Sequence, residues 1–369
     1  MRIGIDARPL VSVSPSGIGI YLLEILKNFN RNNGVEYVLY SNEPIKNPEP
    51  VLNKFEQHVI GGSIGTLAIC FRLGKQLKED RIDVFWGTEH MIPLNSRSIK
   101  KFLTVHDLAL MINPSWGSRK NAVMQNVFCR LSCKCADRII AVSEATKKDL
   151  IDLLRINENI VTVIPNGGYT DVTFSKMKIE DIEKKIGIAG KKFFSYIGNI
   201  EPRKNIIGII KAFEKVNDRS SERYYLVLAG KMGWKTNPIK YAIEHSKYRD
   251  YIVLPGYISE EEKKYLMGNA IAFVFPSNYE GFGIPIVEAF SCGGIVITAR
   301  NSSLTEVGGE AAFYIAESGD IDSLTQRMLD CIVMPEQERI ERIQAGKRQA
   351  ALFDWVTCAQ KTQKILESM

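Results

Sequence analysis

Histidine is scarce in this chain, four in 369 residues. The seven cysteines follow no repeated spacing. Cys133 and Cys135 stand too close together for a zinc knuckle, and no histidine partner follows them at ligand spacing. A cysteine/histidine metal centre is therefore not expected. Unpatterned thiols read as reduced cysteines of a cytoplasmic protein rather than a disulfide framework. No run approaches the roughly 18 apolar residues of a membrane span. The opening Met1-Arg2-Ile3-Gly4-Ile5-Asp6 acquires charge at once and reads as a buried strand, not a leader. Basic and aromatic residues do not interleave as in single-strand binders, so nucleic acid is not an expected partner.

What is present is ordinary globular composition, 45% apolar and 24% charged, in a length that suits two domains of roughly 100–200 residues each. The net charge of +6 is unevenly placed. Between Arg97 and Lys148 ten basic residues face three acids, an excess of seven. Such a stretch suits an anionic partner, although a solvated helix face would look the same.

Short β-branched runs alternate with helical patterns along the whole length. Strands are expected at 2–6, 37–40, 83–86, 102–105, 138–142 and 160–164, then at 193–197, 224–229, 252–254, 272–275 and 295–298. Helices are expected between them, among them 18–29, 67–78, 121–135, 144–154, 204–216, 260–267 and 285–290. This alternation predicts an α/β protein with parallel sheets built from βαβ units. Ile164-Pro165-Asn166-Gly167-Gly168 ends a strand in turn formers and opens a polar stretch. The break divides the chain into an N-terminal domain, 1–170, and a C-terminal domain, 171–353. The last helix, 354–369, is expected to return to the first domain. The architecture predicted is two Rossmann-like domains facing across a cleft.

Four motifs follow strands, where parallel sheets place their sites. Ser14-Pro15-Ser16-Gly17-Ile18-Gly19 opens a helix, and Gly17 and Gly19 allow a phosphate or carboxylate to approach unpaired N–H groups; a plain tight turn is the alternative. His106-Asp107 ends an apolar strand, so His106 is either a ligand contact or a structural histidine. In Gly198-Asn199-Ile200-Glu201-Pro202-Arg203-Lys204-Asn205, two cations fall at a helix start, where the macrodipole opposes them. An anion held there would explain them, and a fork and a point charge suit a diphosphate; a solvated basic turn is the bland account. The fourth motif, Tyr279-Glu280-Gly281-Phe282-Gly283-Ile284-Pro285-Ile286-Val287-Glu288, places two acids around a glycine-flanked loop at a helix start. Glu280 and Glu288 suit a ligand rich in hydroxyls, such as a sugar and a ribose.

In the order and spacing of these motifs the chain resembles the retaining glycosyltransferases of family 4, of GT-B fold, and specifically bacterial mannosyltransferases of surface polysaccharide synthesis. Val105-His106-Asp107-Leu108, Ala141-Val142-Ser143-Glu144 and Val163-Ile164-Pro165-Asn166-Gly167 add to the match. The resemblance implies roles. Arg203 and Lys204, beside Gly198, would hold the donor diphosphate and stabilise the leaving group. Glu288 would accept from ribose hydroxyls. Glu280, with the backbone of Gly281, Phe282, Gly283 and Ile284, would fix the donor sugar. His106 would approach the sugar at its reacting face, Gly17 and Gly19 would border acceptor and phosphate, and Tyr257 and Ile258 would flank the base.

No metal is expected, because Arg203, Lys204 and a helix N-terminus can neutralise a departing diphosphate, and no other cofactor is called for. GDP-mannose is the first expectation for the donor and a UDP-hexose the second. The acceptor would be a glycan or lipid-linked glycan, with the basic 97–148 segment against an anionic inner membrane leaflet. Two departures stand out: Ile20 where arginine is common after Gly-Ile-Gly, and Thr305 where proline is usual in Ser-Leu-Pro-Glu. A sugar-nucleotide 2-epimerase of the same fold is a second enzyme class, disfavoured by the shortage of histidines, and a non-catalytic donor-binding module is a third reading.

Overall fold

The structure is a computed structural model describing residues 1–13, 16–31, 34–60, 67–96, 98–169, 172 and 179–369. Ser14 and Pro15 of the first motif, Arg97 of the basic segment, and residues 170, 171 and 173–178 around the expected domain break lie outside the described residues. The chain forms two compact units, residues 1–167 with 354–369, and residues 168–353.

The first unit is built on strands β1 (Arg2–Asp6), β2 (Glu36–Ser41), β3 (Glu56–Val59), β4 (Val84–Gly87), β5 (Lys100–Val105), β6 (Arg138–Ala141) and β7 (Val161–Val163). They pair in parallel in the order β3-β2-β1-β4-β5-β6-β7. Parallel sheets are covered on both faces, so their strands read as unbroken apolar runs. β1, β4 and β5 are buried in this way. β3 is an edge strand and mostly exposed, and its polar residues carry no alternation from which it could be predicted. The final helix Trp355–Glu367 packs on helix Gly17–Lys27. Gln363 ties it down, donating to the Asn30 carbonyl at 2.6 Å and the Tyr37 hydroxyl at 2.8 Å.

Two helices differ from expectation. The helix expected at 67–78 is divided into Leu67–Phe71 and Leu73–Glu79. The one expected at 121–135 starts at Arg119, where Ser118 caps it by accepting from the Asn121 N–H. It passes through a π turn at Gln125–Cys129 and ends at Cys135.

The second unit holds β8 (Phe193–Ile197), β9 (Tyr225–Ala229), β10 (Ile252–Gly256), β11 (Phe273–Phe275), β12 (Val296–Ala299) and β13 (Phe313–Ile315), all parallel, in the order β10-β9-β8-β11-β12-β13. β13 and the helices Asn237–Glu244 and Leu304–Gly308 escaped the sequence reading because each is short or polar. The strand order reverses direction between β8 and β11. Loops leaving two such neighbours diverge to opposite faces and leave a crevice at the carboxyl ends. In this unit those loops are the Arg203 motif and the Glu280 motif. In the first unit the reversal lies between β1 and β4, the strands that end at Asp6 and Gly87.

Candidate functional site

The site grows from the end of β8. Gly198 has φ +152°, and its carbonyl oxygen lies where a Cβ on Gly230 would come within 2.0 Å, so the β8 and β9 ends meet at a distance only glycine permits. The chain then makes a 3-10 turn, Pro202–Lys204, and Asn205 at φ 57° starts helix Ile206–Arg219. Arg203 and Lys204 therefore stand in the 3-10 turn just before the helix, which starts two residues later than the expected 204. The β11 loop is drawn against this turn. The Asn278 N–H donates to the Arg203 carbonyl at 2.8 Å, and Ser303 Oγ donates to the carbonyls of Glu280 and Phe282 at 2.9 and 2.6 Å. Gly283, at φ 113°, is the N-cap of helix Ile284–Ser291.

The side chains converge accordingly. Arg203 donates to the Tyr279 carbonyl at 2.7 Å and Glu280 Oε2 at 2.9 Å through Nη1, and to Glu201 Oε1 at 3.0 Å through Nη2. Lys204 Nζ donates to Glu280 Oε1 at 2.5 Å and lies 5.1 Å from the Phe275 ring centroid. Side-chain exposure is 15% for Arg203, 11% for Lys204, 10% for Glu280 and 1% for Glu201. The pair does not need an external anion to be accounted for, since the fold supplies two carboxylates. Burial opposes ionisation of Glu280, but Arg203 and Lys204 outweigh it and hold that carboxyl below its ordinary range. Burial and, after it, the neighbouring Arg203 depress the Lys204 ammonium despite Glu280. Burial raises Glu201 against the pull of Arg203 and Lys204.

Glu288 belongs to a second pair on the same strand–helix unit. Its Oε1 accepts from Lys263 Nζ at 2.8 Å; Lys263 also lies 3.8 Å from Glu260, which accepts from the Tyr169 hydroxyl at 2.5 Å. Burial raises Glu288 although Lys263 opposes it. Sequence reasoning missed Lys263, Glu260, Tyr169 and Glu201. Only Glu201 lay inside a motif, and the others meet Glu288 through the fold. The β10 loop carries Tyr257, exposed, with Lys231 Nζ 5.3 Å from its ring centroid, and half-buried Ile258.

The structure thus brings Arg203, Lys204 and Glu280 into contact, with Gly281, Phe282, Gly283 and Ile284 on the adjoining loop and helix start. His106, Gly17 and Gly19 belong to the first unit. His106, at the end of β5, sits with Nε2 2.9 Å from the Thr88 carbonyl oxygen. A carbonyl only accepts, so the proton is assigned to Nε2 and Nδ1 keeps its lone pair. Burial above all, then the neighbouring His90, pushes the His106 pKa down to about 3. Thr88 in turn donates to the Asp6 carbonyl at 2.6 Å, and the Asp6 carboxylate accepts twice from Arg8, at 2.8 and 2.6 Å. This buried pair at the first unit's strand reversal also escaped the sequence reading. Gly17 opens helix Gly17–Lys27, and a Cβ there would meet nothing within 4 Å.

Among the described residues no group of three or more metal-ligating side chains is gathered. The sequence contains one Asp-x-Asp triplet, Asp320-Ile321-Asp322. Here Asp320 caps its helix by accepting from Ser323 at 2.9 Å, and Asp322 pairs with Lys215 at 2.7 Å.

Comparisons with known proteins follow the same division. Residues 178–349 match the family model described as glycosyl transferases group 1, and residues 15–171 the one described as glycosyltransferase family 4. The chain is 29% identical over 287 residues to the O-antigen chain mannosyltransferase B of Escherichia coli, covering 78% of this chain and 74% of that protein. It is 27% identical over 235 residues to the serotype-specific mannosyltransferase WbdA of Escherichia coli, covering 61% of this chain and 28% of WbdA. Among solved structures it is similar to Anabaena HepE in complex with UDP and glucose, with TM-score 0.75, 19% identity, and 100% and 99% of the two chains covered. It is also similar to WaaG, a glycosyltransferase involved in lipopolysaccharide biosynthesis, with TM-score 0.76, 16% identity and 99% of each chain covered.

Proposed function

The chain belongs to the glycosyltransferases that these two models describe, and from that premise we propose that it moves a mannosyl residue from GDP-mannose to a glycan or lipid-linked glycan, with retention and without a metal. The observation that carries this reading is the buried Arg203–Lys204 corner at the strand reversal of the second unit, beside the glycine loop and the start of helix Ile284–Ser291. Breaking a glycosyl–phosphate bond leaves negative charge on the diphosphate. Preorganised cations in a water-poor site stabilise that charge with little reorganisation. Glu280, adjoining the cations, would then orient the hexose, and Glu288 would accept from the ribose. Neutral His106 would offer its bare Nδ1 to the sugar. Support for mannose comes from the two Escherichia coli relatives.

The test is a thermal-shift panel of GDP, UDP, ADP and dTDP, followed by transfer assays with labelled donor. A nucleotide at a hundred times its Kd stabilises by about 2.7 kcal/mol. GDP should give the largest shift, and a larger UDP shift would move the donor to a UDP-hexose. Arg203→Ala with Lys204→Ala should lower turnover by about a thousandfold or more. Full activity in that variant would remove the diphosphate assignment. Donor epimerised without acceptor would identify the other enzyme class.

A further inference from the structure

Lys263 and Glu288 form an ion pair between two helices of the second unit. Helix Glu260–Asn269 follows the β10 loop, which is expected to flank the base, and helix Ile284–Ser291 follows the glycine loop beside the Arg203–Lys204 corner. In a nucleotide the ribose joins base to diphosphate. The pair that links these two helices therefore stands where a ribose would pass.

The pair is withdrawn from water. The Lys263 side chain is 14% exposed and that of Glu288 6%, with Nζ 2.8 Å from Oε1. The groups around it also serve Lys263. Glu260 lies 3.8 Å from Nζ, and the Tyr169 ring, whose hydroxyl donates to Glu260, has its centroid 5.2 Å from Nζ. Burial opposes the ammonium, but Glu288 and Glu260 outweigh it and hold Lys263 above its ordinary range. Stability alone does not call for such an arrangement. Desolvation offsets the attraction within a buried pair, and two apolar side chains of similar size would join the helices as well.

We infer that Lys263 is a positioning residue for ribose recognition, anchoring Glu288 Oε1 so that this carboxylate accepts from the ribose hydroxyls of the donor. The charge matters as much as the place. A carboxylate offers acceptors to both hydroxyls of a vicinal diol, whereas a neutral carboxyl turns one oxygen into a donor. Burial pushes Glu288 towards the neutral acid, and Lys263 opposes that push. Without Lys263, Glu288 stays protonated to higher pH and ribose recognition is lost near neutrality. The inference rests on the proposed role of Glu288 and adds the group that makes that role available.

Calorimetric affinities for GDP and 2′-deoxy-GDP, measured on the full chain from about pH 6 to 9, test this. Wild type should bind GDP about tenfold more tightly, the worth of a hydrogen bond to a charged group, and keep that ratio across the range. Lys263→Met should bind the two alike near neutral pH and regain the preference as pH rises and Glu288 ionises. Lys263→Arg should keep the preference throughout, since a guanidinium also donates to a carboxylate. The nucleotide phosphates titrate alike in both ligands and cancel in the ratio. Of the other groups facing Glu288, Glu260 is exposed, and burial raises the Tyr169 hydroxyl and pushes the Cys292 thiol up to about 12. Lys263→Met with the wild-type ratio near neutral pH overturns the inference. So does a ratio lost in both variants at every pH, which would make Lys263 a strut between helices. Should Lys263→Met not fold, Lys263→Gln, with similar length and no charge, carries the same expectation. Where UDP binds more tightly than GDP, UDP and 2′-deoxy-UDP replace the two ligands. Wild type that binds both ligands alike takes the ribose away from Glu288 and the inference with it. Failure of the glycosyl-transfer reading looks different, with no affinity for either nucleotide.

Discussion

At the residue scale, the four charges of the second unit's corner balance, two cations against two carboxylates. Glu280 serves both Arg203 and Lys204. Replacing its charge but not its shape separates two roles. Glu280→Gln should bind GDP at least as tightly as wild type, because it removes negative charge beside the diphosphate. It should transfer sugar about a hundredfold more slowly if Glu280 orients the hexose. Calorimetric affinity and initial rate together check this, and equal losses in both would assign Glu280 to holding the cations alone. His106 makes a second prediction. Its folded pKa of about 3 lies below the ordinary value near 6.5, so the unfolded chain binds one more proton between those values. Stability from this residue is complete above about pH 6.5 and falls by about 1.4 kcal/mol per unit as pH drops towards 3. Urea midpoints against pH should fall less steeply across that window in His106→Gln. Parallel curves would show that the fold does not depress the His106 imidazole.

At the scale of the element, glycines at helix starts differ in what they are for. Gly283 is required by the backbone itself, at φ 113° with a Cβ 3.3 Å from Leu304. Gly17 is not, since a Cβ there meets open space. Alanine is a better helix former by roughly 0.5–1 kcal/mol, so Gly17→Ala should melt no lower than wild type. If Gly17 borders the acceptor and phosphate, the same variant should lose most of its turnover. Unchanged kinetics would return this loop to a plain turn.

For the whole molecule, the chain leaves the first unit after Gly167 and re-enters it at Asp354, so the last helix is part of the first unit's core. Trp355 is buried there, its ring 6.2 Å from Tyr21, and a Cβ on Gly167 would meet its ring at 2.5 Å. Trp355→Ala should cost about 3–5 kcal/mol through loss of burial and the cavity left behind. Differential scanning calorimetry should show that loss in the first unit. The stabilisation by GDP should persist, since Arg203, Lys204, Glu280 and Glu288 all lie in the second unit. Loss of the GDP shift in this variant would place nucleotide binding outside the second unit.

By itself the sequence determined the parallel α/β class, because strands buried on both faces must read as apolar runs and the helices between them as amphipathic ones. It also marked the loops that follow β1, β5, β8 and β11, since turn glycines and charged residues after a strand are local features. It carried no sign of β3, whose pairing with β2 rests on backbone hydrogen bonds rather than on an apolar face. Only the tertiary structure decided that Glu201 and Glu280 are the counter-charges of Arg203 and Lys204, that Lys263 meets Glu288 from another helix, and that Asp6 clasps Arg8 beneath Thr88. Periodicity records what each segment buries. Which charge faces which across 25 or 77 residues of chain is set by strand order, and no local pattern encodes it.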